Sequence, residues 1–348
     1  MIREAIFSII EEKRNLTENE AYTVMDSIMR AGNDETEDVV TPAQFGAFLV
    51  ALRLKGETVD EIVGMAKSMR EHALRVDANT LPLLDTCGTG GSSRKVFNAS
   101  TAAAFIASAA GAKVAKHGNR AMSSRSGSAD LLEEMGAVIS LAPDSVAQCI
   151  EKVGIGFLFA QSFHPSMKFA GPLRPQIGIR TIFNILGPLA NPARANCHVM
   201  GAPSKELASK LANSLARLDV RHALVVSGED GLDDLTITGP SNVYEVKGGN
   251  VTEKIVTPEE VGLSRYPVED IIGGNPSENA QIFRDVLAGE GSEAIRDLIL
   301  FNAGAGLYVT GLAASIKDGI NKSIKVMESG EAAAKVAAFI ETTRRLGV

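Results

Sequence analysis

Across the first ~75 residues, apolar positions recur at helical spacing and no strand-like alternation interrupts them. The opening stretch MIREAIFSIIEEKRNLTENEAY reads as an amphipathic helix. Acidic residues lie inside its apolar run and no small-residue cleavage site follows, which argues against a signal peptide. Next, TENEAYTVMDSIMRAG pairs Thr17 with Glu20 as a capping box and closes at Gly32. TPAQFGAFLVALRLKG begins with Pro42 at a first helical position and stops at Gly56. TVDEIVGMAKSMREHAL repeats the cap with Thr58 and Glu61. These segments predict a small all-helical domain over residues 1–75.

From residue 81 the pattern changes. The short apolar runs LPLLDTC, AKVAKHG, VISL, GFLFA, CHVMGA and HALVVSG alternate with helical segments such as PDSVAQCIEKVG and SKELASKLANSLARLD. Buried strands alternating with helices predict an α/β domain over residues 76–348, its central, mainly parallel sheet flanked by helices. Residues 162–192 break the rhythm with five prolines (Pro165, Pro172, Pro175, Pro188, Pro192) and read as a crossover or hinge returning to the helical domain. NVYEVKGGNVTEKIV predicts a late hairpin turning at Gly248 and Gly249. Residues 276–346 read as helical again.

Composition narrows the picture. A chain of 348 residues and 36.7 kDa holds one large or two medium domains. No run reaches about 18 apolar residues, so no membrane span is expected. A formal net charge of −7 argues against nucleic acid as the main partner. Three widely spaced cysteines (Cys87, Cys149, Cys197) match no zinc spacing and suit a reducing compartment. A cytoplasmic protein is expected.

Candidate chemistry gathers in three loops. DTCGTGGSSRKVFNASTAAAF fails the G-x-x-x-x-G-K-[ST] test, because Lys95 precedes Val96. It also fails G-x-G-x-x-G, because Ser93 stands at the third glycine. Gly88, Gly90 and Gly91 still allow backbone N–H groups to approach an anion, and Asn98, Ser100 and Thr101 lie where the next helix begins. The alternative is an ordinary strand-to-helix turn with capping hydroxyls. KHGNRAMSSRSGSADLLEEMG then crowds Lys116, His117, Asn119, Arg120, Ser123, Ser124, Arg125, Ser126 and Ser128 between a strand and a helix. Alone it is equally a solvated loop. Both loops follow successive strands at one end of a parallel sheet, and together they favour a polyanionic ligand. In SGEDGLDDLTITGP, Asp233 and Asp234 are either solvated surface or a pair of Mg²⁺ ligands.

Taken in order, GTGG, NAST, KHGNR, SSRSGSADLLE, RTIFNILGPLANPA and GLDDL resemble the anthranilate phosphoribosyltransferases nearly end to end. The resemblance implies a helical domain joined to an α/β domain, paired as a homodimer through the helical part. It implies attack of anthranilate's amine on C1 of phosphoribosyl pyrophosphate, with pyrophosphate leaving, in tryptophan biosynthesis. By the same resemblance, Gly88, Gly91, Ser92, Asn98, Ser100, Thr101, Lys116, His117, Gly118, Asn119, Arg120, Ser123, Ser124 and Ser128 surround phosphoribosyl pyrophosphate. Ser100, Asp233 and Asp234 hold one or two Mg²⁺ ions, and Gly88, Asn119 and Arg174 contact anthranilate, with Arg174 at its carboxylate. The substrate brings its own nucleophile, so no side chain is expected as nucleophile or acid–base catalyst. His117 is expected to shape its loop, and His164 to line the aromatic site or simply pack.

Three positions depart from the family's pattern. Ser92 stands where Asp is usual, Val96 where Thr is usual, and Asp234 where the second carboxylate is usually Glu. The same ligand is expected with altered metal dependence or affinity. The rival readings are phosphoribosyl transfer to another aromatic acceptor, a pyrimidine nucleoside phosphorylase, and a non-catalytic nucleic-acid-binding relative. The KHGNR stretch and the retained GLDDL turn favour the transferase, and the acidic charge disfavours the last.

Overall fold

Capping boxes start three of the four N-terminal helices, two of them at Thr17 and Thr58 as the sequence predicts. The computed structural model describes residues 1–31, 40–92, 94–121 and 125–347. It begins with helices Ile2–Ile10, Glu18–Arg30, Pro42–Lys55 and Val59–Glu71. Thr17, Thr41 and Thr58 each accept a backbone N–H bond three residues on, while Glu20, Gln44 and Glu61 reach back to the cap. Each box satisfies two N–H groups that a helix start leaves open. The expected stop at Gly32 lies outside the described residues; the helix runs to Arg30.

The sheet holds β1 (Leu83–Gly88), β2 (Lys113–Gly118), β3 (Ile155–Phe159), β4 (Cys197–Gly201), β5 (His222–Gly228), β6 (Ser241–Lys247) and β7 (Asn250–Val256). Their spatial order is β3-β2-β1-β4-β5-β6-β7. The pairings from β3 to β5 are parallel, and β6 and β7 add antiparallel. Gly248 and Gly249 turn the last hairpin with φ of 57° and 79°, as a two-residue turn of that hand requires. The VISL run is not a strand. Its Val138 N–H donates to Thr343 Oγ1 instead of to a neighbouring strand, and Ile139 is buried in the core.

Side chains of the parallel strands β1 to β5 are buried on both faces, which is why those runs look continuously apolar. Leu84, Val114, Val199 and Leu224 pack with the helix Ala99–Ala109 and the C-terminal helices. On the opposite face, Cys87, Met200, Ala223 and Val225 share one core with the helix Lys205–Leu215 and the N-terminal helices. The proline-rich segment folds back onto those helices: Phe45 meets Phe169 at 5.6 Å and Phe183 at 5.8 Å between ring centroids. No described helix is long and apolar enough to cross a membrane.

This topology decides where a ligand goes. The chain moves outward from β1 through β2 to β3, then returns to place β4 on the other side of β1. A crevice forms beyond the carboxyl ends of strands at such a switch point. Here those ends are Gly88 and Gly201, paired in register.

Candidate active site at the switch point

The Asp233 turn sits directly over the two strand-end glycines. A Cβ at Gly88 would stand 2.6 Å from Asp233 Oδ2, and one at Gly201 would stand 1.5 Å from the Asp233 carbonyl oxygen. Any larger residue at Gly201 would drive the turn off the sheet. The glycine loop leaves this point with Thr89 N–H donating to Gly201 O at 3.0 Å. Gly90 and Gly91 take φ of 63° and 91°, and Arg180 Nη2 donates to Thr89 O at 3.2 Å and to Gly90 O at 2.8 Å.

Several of the polar side chains expected at the ligand are engaged with one another. Asn98 stands at the start of the helix Ala99–Ala109 but makes no capping bond. Its amide donates to Ser126 O at 3.0 Å and accepts from Asn279 Nδ2 at 2.8 Å. Thr101 Oγ1 donates to Ser128 Oγ at 2.8 Å, and Ser100 contributes its carbonyl to the Thr86 hydroxyl. Arg120 pairs with Asp130 and Glu133 and lies 5.5 Å from the Phe159 ring centroid. Asn119 Oδ1 accepts the Arg120 N–H, and Gly118 packs close to the Ser128 side chain. Gly88, Asn98, Thr101, Gly118, Ser128 and Asp233 are thus gathered by contacts among themselves or their neighbours. Ser123 and Ser124 lie outside the described residues.

Charge is concentrated beneath the loop. Lys116 is buried, donates to Thr86 O, and is pushed down by desolvation against the opposing pull of Asp85. Burial raises the Asp233 carboxyl, and raises Asp234 well above its usual range with further help from the Asp233 charge. Asp230 adds to that repulsion. Crowded carboxylates facing a strand-end cradle are the donor chemistry a hard divalent cation relieves, so Asp233 and Asp234 fit Mg²⁺. Asp85, Cys87 and His198 also bring donor atoms within 4.8 Å of one another in the interior. That set does not suit Mg²⁺: it offers thiol and imidazole, and Asp85 already accepts from His117 N–H and Asn191 Nδ2.

Arg174 lies on the helix Met167–Ile177. Its guanidinium lies 5.5 Å from the Phe183 ring centroid, and burial alone lowers its pKa. His117 and His164 lie with ring centroids 5.2 Å apart; burial pushes them to about 4 and about 3. His117 Nδ1 donates to Gly187 O at 3.0 Å, and neither Nε2 has a partner among the described residues.

Comparison with known proteins follows the same division of the chain. Residues 80–333 match a glycosyl transferase family a/b domain, and residues 3–73 its helical bundle domain. Anthranilate phosphoribosyltransferase from Chloroflexus aggregans is 49% identical over 344 residues, 99% of this chain and 98% of that protein. The chain belongs to the anthranilate phosphoribosyltransferase family. Two solved structures of that family extend the match. The enzyme from Thermus thermophilus superposes with a TM-score of 0.90 at 43% identity, covering 99% of each chain. The Saccharomyces cerevisiae enzyme in complex with PRPP and Mg gives 0.88 at 28% identity, over 99% of this chain and 98% of that one.

Two of the departures from the family's pattern have local structural roles. Ser92 Oγ accepts the Arg94 N–H at 3.1 Å, bracing the loop where the usual carboxylate is missing. Val96 forms a β-bridge with Ile272, flanked by Phe97 N–H to Ile271 O and Gly273 N–H to Lys95 O, both 3.0 Å. A residue with strong strand preference suits that position. Sequence reasoning missed Arg180, Asn191 and Asn279. The first two lie inside RTIFNILGPLANPA, so their signal was present; Asn279 sits in an unremarkable helix and left none.

Proposed function

We propose that this chain transfers the phosphoribosyl group of 5-phosphoribosyl 1-pyrophosphate to the amine of anthranilate, giving N-(5-phosphoribosyl)anthranilate and pyrophosphate in tryptophan biosynthesis. The observation that carries this reading is the Asp233 turn seated on the paired ends of β1 and β4, beside a glycine loop. Near-complete family similarity supports it.

In this reading Gly88, Gly91, Ser92, Asn98, Ser100, Thr101, Ser128 and the run from Lys116 through Ser124 surround phosphoribosyl pyrophosphate. Contacts among the described ones hold their loops in shape, so recognition falls largely on backbone N–H groups and on the helix start. Asp233, Asp234 and Ser100 would hold one or two Mg²⁺ ions, which when bound would supply positive charge to the pyrophosphate leaving group. Arg174, whose charge is desolvated by burial, receives the anthranilate carboxylate. Gly88 and Asn119 complete that subsite. The amine forms its bond to C1 with its own lone pair as the C1–O bond to pyrophosphate breaks. The protein's part is to hold the two together and to stabilise the leaving charge.

The division into residues 1–75 and 76–348, with residues 162–192 returning to the helices, is supported by the Phe45 contacts. A homodimer through the helical part is supported by the exposed Phe7 and Ile10 of the first helix. A cytoplasmic setting fits the buried free cysteines.

The test follows anthranilate fluorescence after mixing with phosphoribosyl pyrophosphate, with Mg²⁺ and then with EDTA. Loss of signal that needs both sugar and metal is expected. Calorimetric binding of phosphoribosyl pyrophosphate without that loss would reassign the acceptor. No binding at all would overturn the reading.

A further inference from the structure

The glycine loop has two faces, and Arg180 occupies one of them. Its Nη2 reaches the carbonyls of Thr89 and Gly90 at 3.2 and 2.8 Å, while Nη1 fills the place where a side chain at Gly91 would begin, 1.2 Å from an ideal Cβ. A trans peptide points its C=O and N–H in opposite directions. With the Thr89 carbonyl turned to the guanidinium, the Gly90 N–H is turned to the other side, where it donates to Asp233. With the Gly90 carbonyl held the same way, the Gly91 N–H also faces away from Arg180.

Two other contacts act on the same peptides: the Gly90 N–H donates to Asp233, and the Thr89 hydroxyl donates to Gly90 O at 3.2 Å. Arg180 is the cation among them. Gly90 and Gly91 both have positive φ, and a glycine pair exchanges such conformations at little cost. A reversed Gly90–Gly91 peptide would present a carbonyl oxygen where the Gly91 N–H now points, on the side away from Arg180 that the reading gives to phosphate. The guanidinium opposes reversal in two ways, attracting carbonyl oxygens and repelling the positive ends of the N–H dipoles. Arg180 follows the helix Met167–Ile177 that carries Arg174, so it also ties the proline-rich segment to the loop across the crevice.

We propose that Arg180 is a positioning residue that sets the peptide polarity of the glycine loop and so prepares it to bind the pyrophosphate of phosphoribosyl pyrophosphate. This rests on the reading of the loop given above. It assigns Arg180 no contact with substrate; its effect passes through Gly90 and Gly91.

The experiment compares wild type, Arg180→Ala and Arg180→Lys. Arg180→Ala is expected to raise the KM for phosphoribosyl pyrophosphate about ten-fold, the scale of losing charge-assisted hydrogen bonds. The anthranilate KM at saturating sugar should stay within about two-fold and Tm within about 2 °C. Arg180→Lys should recover part of the loss, since one ammonium donor can still reach a carbonyl. In the substrate-free proteins, amide hydrogen exchange in the peptide spanning residues 88–92 should be faster in Arg180→Ala than in wild type. Unchanged exchange there would overturn the proposal, as would equal rises in both KM values accompanied by a fall in Tm. If wild type itself binds no phosphoribosyl pyrophosphate, the functional reading falls, and the exchange comparison still decides whether Arg180 orders the loop.

Discussion

Asn98, Thr101 and Arg120 in the segments after β1 and β2, and Arg174 and His164 in the proline-rich segment, treat their polar groups in opposite ways. In the first region Asn98 is held between Ser126 and Asn279, Thr101 is tied to Ser128, and Arg120 is paired with Asp130 and Glu133. In the second, Arg174 lies over a phenylalanine with burial its only perturbing influence, and His164 keeps an unpartnered ring nitrogen. The first region is a frame whose side chains hold one another and leave backbone N–H groups and a helix start for an anion. In the second, the Arg174 guanidinium and the His164 Nε2 are desolvated and unmatched among the described residues, ready for a partner from outside. A side-chain deletion should therefore alter loop shape in the first region and remove binding directly in the second.

The largest effect expected from this contrast is at Arg174. Arg174→Met should raise the anthranilate KM about a hundred-fold, with the KM for phosphoribosyl pyrophosphate changed little, because a buried charge-assisted pair is lost on one substrate only. Steady-state kinetics with each substrate varied checks this. Equal rises in both constants would erase the distinction between the regions.

A second effect concerns acid. Burial holds His117 at about 4, His164 at about 3 and His198 at about 4, against an ordinary value of 6.5. As pH falls below 6.5 the unfolded chain takes up protons that the folded chain refuses, so stability present at neutral pH is lost toward pH 4, by about 1.4 kcal/mol per histidine per unit. Asp85 works the other way. Burial raises it to about 6, so between 6 and its ordinary 3.8 the folded chain holds the extra proton. At pH 5 unfolding of His198→Gln should therefore take up about one proton fewer than unfolding of wild type. Denaturant midpoints across pH 7 to 5 measure the slope. A variant with the wild-type slope would show that His198 is not held neutral.

The smallest effect is at the departures. Restoring the usual residues with Ser92→Asp and Asp234→Glu should shift the Mg²⁺ midpoint of activity a few-fold, since metal affinity follows the number and reach of carboxylates. Coincident Mg²⁺ titrations would show that the Ser92 to Arg94 bond and the shorter Asp234 already serve as well.

Much of the fold was legible because its signals are local. The capping boxes at Thr17 and Thr58, the hairpin at Gly248 and Gly249, and the unbroken apolar strands each follow from residues within a few positions of one another. VISL misled because a four-residue apolar run carries no mark of whether a neighbouring strand awaits it. The candidate site was legible as residue types, through glycines, hydroxyls, bases and paired acids. Its internal hydrogen bonds were not. Nothing adjacent to Arg120 shows that its guanidinium is taken by Glu133, and nothing near Asn98 announces Asn279, 181 residues away.

The sequence by itself determined the helical beginning, the alternating α/β body, the order of the three polar loops and the family to which they belong. Periodicity, capping and turn chemistry act over a few residues and survive without knowledge of the whole. Only the tertiary structure decided that β1 and β4 lie side by side, that Asp233 rests on Gly88 and Gly201, and that Arg180 grips a loop 90 residues away. Those outcomes depend on strand order and on close approach where glycine leaves room, which are properties of packed surfaces and not of neighbours along the chain.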